Sequence, residues 1–201
     1  MSKRERTERR IQYAALRLAA QEGIDAVTVE AICAAADVSE RTFFNYFLFK
    51  DAVFAVAPPP LPEDSVKAFL TNEGTLLEAL TQLIGDQVAQ IADDADMATV
   101  LRDIMYNHPR VAALQITRMH AFDRELAALI ARRLGREADD HACLVLAAAT
   151  NAATRIAIEY WTEKGTSDVR GIVASSLGEL LRLATRDTDS ISVNTANTSY
   201  Q

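Results

Sequence analysis

Glycine and cysteine are scarce in this chain of 201 residues, with seven of the first and two of the second. Proline is rarer than glycine at five, and four of those five fall between positions 58 and 62. So few breakers leave room for long uninterrupted helices. The period-two alternation of β-branched and polar residues that marks strands is missing, so the expected fold class is all-α. Cys33 and Cys143 sit in apolar helical contexts without CxxC spacing, which speaks against a disulfide or a metal site. No stretch reads as long and apolar enough to span a bilayer, and the basic N-terminus has no apolar core behind it. The expectation is a cytoplasmic protein with no membrane contact. Catalytic signatures are absent too. His108, His120 and His141 are scattered, and there is no GxSxG, no HExxH and no glycine-rich phosphate loop. No catalytic residue, cofactor or metal is therefore assigned, and the chain reads as something other than an enzyme.

Positive charge is also in short supply, but unevenly so. The formal net charge is −7. Residues 1–50 hold eight Lys/Arg against seven Asp/Glu, a balance of +1, while the rest hold thirteen against twenty-one, a balance of −8. Lys3, Arg4, Arg6, Arg9 and Arg10 concentrate the basic groups ahead of the first apolar-periodic residues. Such a run is either a solvated tail or a contact to DNA phosphate or the minor groove.

What stands behind that run is more specific. Ile11, Ala14, Ala15 and Leu18 mark an amphipathic helix ending at Glu22-Gly23. Val29, Ile32 and Ala36 form a second apolar stripe, with Thr28 placed to cap it. Ser39 repeats the arrangement before a third run, in which Phe43 and Phe47 share a face. Ala36-Asp37-Val38 is left as the turn, with Val38 as the apolar plug. Two short helices joined this tightly, over residues 28–47, are helix-turn-helix geometry, in which the second helix can enter a DNA major groove.

With these residues in view the chain resembles the TetR family of transcriptional regulators. Ile11-x-x-Ala14-Ala15, Glu22-Gly23, Thr28-Val29, Ile32, Val38-Ser39, Thr42, Tyr46-Phe47 and Lys50 match its pattern over residues 5–65. The TFF-x-YF form is similar to the mycofactocin-type subgroup. Three positions depart: Asp37 stands where glycine is usual, Ala19 where an aromatic often packs, and Phe44 where tyrosine is common. The resemblance implies a DNA-binding domain over 5–65, a helical ligand-binding and dimerisation domain over 66–186, and about nine helices in all. Residues 187–201 lack helical periodicity and are expected to be a disordered tail. The partners implied are a double-stranded, near-palindromic operator, a second copy of the chain, and a small-molecule effector that releases a repressor from DNA. The rival reading is an architectural DNA binder without an effector.

Matching positions then suggest DNA-binding roles. Phe43 and Phe47 go to the core. Arg41 is a base reader, bidentate to guanine, or else a phosphate contact. Thr42 can donate to phosphate or pack on a thymine methyl. Phe44, without a hydroxyl, can offer only apolar contact to a sugar or thymine methyl, and Asn45 faces DNA beside it. Tyr46 is a phosphate donor, Lys50 a backbone clamp, Thr28 can reach the opposite phosphate row, and Ser39 is counted among the DNA-binding residues.

The remaining chain parses into helices. A short fourth helix is expected over 50–57, stopped by the prolines, and taken as the lever between the two parts. Others are expected near 64–71, over 75–91 capped by Thr75, over 97–107, from Pro109 to Leu134, over 139–163 and from 168 onward. Asp93-Asp94-Ala95-Asp96 reads as an exposed connection. The resemblance places the dimer contact on the last two helices; their apolar residues and the alanines at 147–149 and 152–153 suit close helix approach there, or burial inside one subunit equally well. Met105, Met119, Phe122, Asn151 and Arg155 are the candidate effector-binding residues. Asn151 and Arg155 lie four apart on an apolar helix, where they either anchor an acidic or polar headgroup or form a dimer-interface or intramolecular salt bridge, with Asp123 or Glu125 as possible mates.

Overall fold

The computed structural model describes residues 3–71, 73–92, 95–164 and 168–186. Among these residues there are nine α-helices, two short 3₁₀ turns and no strand. The all-α expectation, with an N-terminal helix-turn-helix and a C-terminal helical domain, is met.

The reading head is built from α1 (Lys3–Glu22), α2 (Val29–Ala36), α3 (Glu40–Tyr46) and a 3₁₀ turn (Lys50–Phe54). Its core gathers Ile11, Ala15, Leu16, Val27, Ile32, Phe43, Phe47, Val53 and Phe54, all buried. The Thr28 hydroxyl accepts the Ala31 N–H at 3.1 Å and so starts α2. Asp37 ends it in the left-handed region, φ 49° and ψ 56°, with Val38 N–H bonded to the Cys33 carbonyl at 3.0 Å. Ser39 caps α3 through the Thr42 N–H at 3.1 Å.

The body follows as α4 (Glu63–Thr71), α5 (Leu76–Val88) with a 3₁₀ turn at Ala89–Ile91, α6 (Ala95–Asn107), α7 (Pro109–Leu134), α8 (His141–Lys164) and α9 (Val169–Arg186). α5 opens on a reciprocal capping box between Thr75 and Glu78, and Gly135 closes α7 at φ 64°. Leu61, Phe69, Leu83, Ile84, Leu126, Ile130, Trp161 and Val173 are buried in the body core. The head core ends at Val56 and the body core begins at Leu61, on either side of Pro58-Pro59-Pro60. The head is nevertheless seated on the body, because Ile104 of α6 and Val111 of α7 are buried in its cluster.

Three expectations need correction. The helix expected over 50–57 is only the 3₁₀ turn Lys50–Phe54, followed by chain without helix to Pro62. Phe49 supplies no side-chain cap, and the prolines from 58 onward remove the N–H donors a longer helix would need. The basic run does not precede α1 but lies within it, so Lys3 to Arg10 are fixed on its first turns. One helix, α8, is after all long and apolar enough by length and composition to cross a membrane. Its Cys143, Ala147, Thr150, Ala157 and Trp161 are buried in the protein instead, and α8 packs against α7 and α9. The expected tail, together with Asp93, Asp94 and Gly165, lies outside the described residues.

Candidate nucleic-acid interface

α3 has seven residues, and the packing of its two phenylalanine rings decides which face is left over. Phe43 and Phe47 are 0% and 1% exposed, with ring centroids 5.3 Å apart. That orients Glu40, Arg41, Phe44 and Asn45 outward. Phe44 is half exposed, its ring edge-on to Phe43 at 5.3 Å. An exposed aromatic held edge-on by a buried one is a stiff apolar surface. Arg41 stands exposed beside it.

The remaining predicted contacts are more constrained. Thr28 and Ser39 are exposed but spend their oxygens on the caps. The Thr42 hydroxyl lies 2.9 Å from that of Ser39, so it would have to turn from one partner to another on meeting phosphate. Tyr46, at the end of α3, is half buried under the Arg4 guanidinium, 5.4 Å from its ring centroid. Lys50 differs most from expectation. Its ammonium donates to the carbonyls of Ile24 at 3.0 Å, Asp25 at 3.4 Å and Val27 at 2.9 Å. An ammonium has three donors, and here all three lock the α1–α2 loop. The outward clamp read from the sequence is an inward one.

Local charge is largely set by the caps. Glu30 is held below the usual carboxylate range by its own backbone N–H and by the Thr28 hydroxyl. Burial pushes the Cys33 thiol up, with Glu40 and Glu30 adding to it. The thiol is thus a core group.

Two features of the head were missed from sequence. Leu48 is 86% exposed and Phe49 40%, an apolar pair directly after α3 where a turn should be polar; the signal was present and unused. Arg4 was read as one of a run rather than as a partner of Tyr46, and nothing local in the sequence joins positions 42 residues apart.

The candidate effector residues do not converge. Met105 packs against the reading-head core, since α6 serves as its seat. Phe122 is buried in the body core, and half-buried Met119 takes a weak bond from Gln115 Nε2 at 3.5 Å. Asn151 reaches across from α8 to donate to Asp123 at 2.9 Å. So Asn151 lies on the α7–α8 seam and Phe122 in the core beside it, while Met119 contacts Gln115, which reaches the connector. Arg155 does not join them, being on the surface and paired with Glu159 at 2.7 Å. Two shallow cavities, of ≈ 260 and ≈ 250 Å³, lie at the α2–α3 turn and between α1 and α6; neither is lined by any of the five residues.

Solved structures of the same fold include the fatty acid degradation regulator FadR from Bacillus halodurans, 18% identical over 90% of this chain and 96% of that one, TM-score 0.60. FadR from Thermus thermophilus, described as a TetR-family transcriptional repressor in complex with lauroyl-CoA, is 21% identical over 87% and 93%, TM-score 0.55. FadR from Bacillus subtilis, in complex with stearoyl-CoA, is 18% identical over 86% and 96%, TM-score 0.56. Among curated proteins nothing matches. At the level of family, residues 11–57 match the bacterial regulatory proteins of the tetR family, and residues 75–184 match the MftR C-terminal domain. Capped α2, left-handed Asp37 and the outward face of α3 fall inside the first match and the helical body inside the second, and on both counts the chain belongs to the TetR family of DNA-binding transcriptional regulators.

Proposed function

We propose that this regulator is a homodimeric, cytoplasmic repressor that binds a near-palindromic operator and leaves it when a small apolar or acidic effector enters the body. The observation that carries the reading is the exposed face of α3, with Arg41, Phe44 and Asn45 turned outward from a fully buried Phe43. Two such helices, one per subunit, suit successive major grooves about one helical turn apart.

Dimerisation is supported by what α8 leaves uncovered. Val145, Ile156 and Tyr160 are each more than half exposed, and Ala148 and Ala152 lie exposed between them at helical spacing. Small residues in such a stripe let a second helix approach closely. Leu180 adds an exposed apolar group on α9. Arg155 lies along this stripe, so we assign it to the subunit interface and not to a ligand headgroup. Ile156→Glu is expected to yield folded monomers in sedimentation and to lose operator binding. A dimer as tight as wild type would remove α8 from the interface.

For the effector, the α7–α8 region around Phe122 and Asn151 is the place of choice, with Met119 one turn along α7 as an adaptable apolar group. An acyl chain is one candidate, since regulators of this fold are described with acyl-CoA. The ligand must bind the DNA-free conformation more tightly than the DNA-bound one, and a coupling of roughly 1–3 kcal/mol is the expected scale. The reading is tested by selecting duplexes from a random library with the purified protein, followed by sedimentation of the protein alone. A recovered inverted repeat and a dimer at micromolar concentration support it. No enrichment over random sequence, or a monomer, would overturn it.

A further inference from the structure

We propose that Arg4, held over the Tyr46 ring, forms the backbone-phosphate clamp at the end of the recognition helix, in place of Lys50; the proposal rests on the DNA-binding reading of α3. The starting point is a missing charge. Residues 40–46 contain a single cation, Arg41, and the next one along, Lys50, has all three ammonium donors occupied by the carbonyls of Ile24, Asp25 and Val27. Phosphate binding draws its affinity from neutralised charge. The cation must therefore come from elsewhere.

α1 brings it. Because the basic run is helical from Lys3, Arg4 is held in place by the fold, and its guanidinium lies 5.4 Å from the Tyr46 ring centroid. A guanidinium held over a ring by cation–π attraction still has its fork of five N–H donors to offer an anion. Arg4 is exposed and forms no ion pair with a carboxylate among the described residues. The Tyr46 hydroxyl likewise bonds to no protein group among them. A half-buried ring as platform, a fixed cation over it and an unused hydroxyl together form a site for one phosphate oxygen cluster. The in-plane fork of the guanidinium suits a phosphate better than a base edge here, since the pair sits at the end of α3 and not on its exposed face.

The test measures the salt dependence of binding to two probes: a duplex selected from a random library by the wild-type protein, and a random-sequence duplex of equal length. Arg4→Ala should lower the slope of log K against log salt by about two per dimer, at ~0.9 per phosphate, on both duplexes alike. Affinity near 0.1 M salt should drop on the order of tenfold or more, with the base-preference profile unchanged. Arg4→Lys should keep the slope and lose affinity, because the charge stays and the planar donor fork is lost. Tyr46→Phe should keep the slope as well, since the platform remains, while affinity falls a few-fold. Lys50→Met should melt at lower temperature yet bind, when folded, with the wild-type slope. An Arg4→Ala slope equal to wild type, in a protein with an unchanged melting curve, overturns the clamp. So does a Lys50→Met slope lower by two. If the wild type itself prefers no duplex, the DNA-binding reading fails first, and that result is distinct from either of these.

Discussion

At the scale of single residues, the head was legible wherever burial is decided by helical spacing. Phe43 and Phe47 could be given to the core because i and i+4 share a face, and both are fully buried. Lys50 was not legible, because a flexible four-carbon stem can carry its charge outward or inward, and only the position of the α1–α2 carbonyls decides. Asp37 lies between these cases: the turn position was evident, and the left-handed backbone it imposes is present at φ 49°. A residue with a Cβ is strained there by ~1–2 kcal/mol, less for Asp than for most. Asp37→Gly should remove that strain against a smaller entropic loss in the unfolded chain. The expected outcome is a stability gain of about 0.5 kcal/mol in urea unfolding, with Asp37→Ala showing none. Equal midpoints for both variants would mean that the aspartate side chain already offsets the strain.

At the scale of elements, helix starts and stops were the most readable features, since caps act within four residues. Thr75, Pro109, Gly135 and Ser39 each stand where the structure begins or ends a helix. The 3₁₀ turn at Lys50–Phe54 was over-read as a longer helix because its apolar residues continue past its hydrogen bonds. The caps also govern acid sensitivity. Glu78 is held below the ordinary carboxylate range by the Thr75 N–H and hydroxyl, and Asp140 by the Cys143 N–H and then by Arg136. A carboxylate with a depressed folded pKa adds stability above its unfolded pKa, and that contribution is lost as pH falls through the folded value. Stability should therefore decline from about pH 4 downward. Thr75→Ala should cost about 1 kcal/mol near neutrality. It should also flatten the acid limb of the stability profile, because Glu78 then loses one of the bonds that depress its pKa. Denaturant unfolding across pH reads both effects, and an acid limb unchanged in Thr75→Ala would detach Glu78 from it.

At the scale of the whole molecule, the proline cluster announced a joint, but not how the joint is held. Proline offers a carbonyl and no N–H, so Pro59 and Pro60 can be bound only from their acceptor side. Glutamine amides do this throughout the connector. Gln87 donates to the Pro59 carbonyl at 2.7 Å and Gln90 to that of Pro60 at 2.9 Å. Upstream, Gln12 of α1 reaches Ala55 at 3.2 Å and Gln115 of α7 reaches Val56 at 2.8 Å. No periodicity in the sequence pairs positions 43 or 59 apart, which is why these contacts were invisible there. Head and body are further joined by Arg118 to Glu8 at 3.2 Å and Arg110 to Asp51 at 3.7 Å. The two glutamines that grip residues 55 and 56 are not equivalent, since the Gln115 Oε1 is buried without a hydrogen-bond partner among the described residues. A donor lost from a buried carbonyl costs about 1–3 kcal/mol, and relief of an orphaned acceptor returns a similar amount. Gln12→Met should thus destabilise by about 1–2 kcal/mol, whereas Gln115→Met, which removes a bond and an orphan together, should change stability by less than about 1 kcal/mol. Urea midpoints of the two variants, measured side by side, decide it. If Gln115→Met falls as far as Gln12→Met, then Oε1 is satisfied by an ordered water, and the α7 side of the joint is as fully bonded as the α1 side.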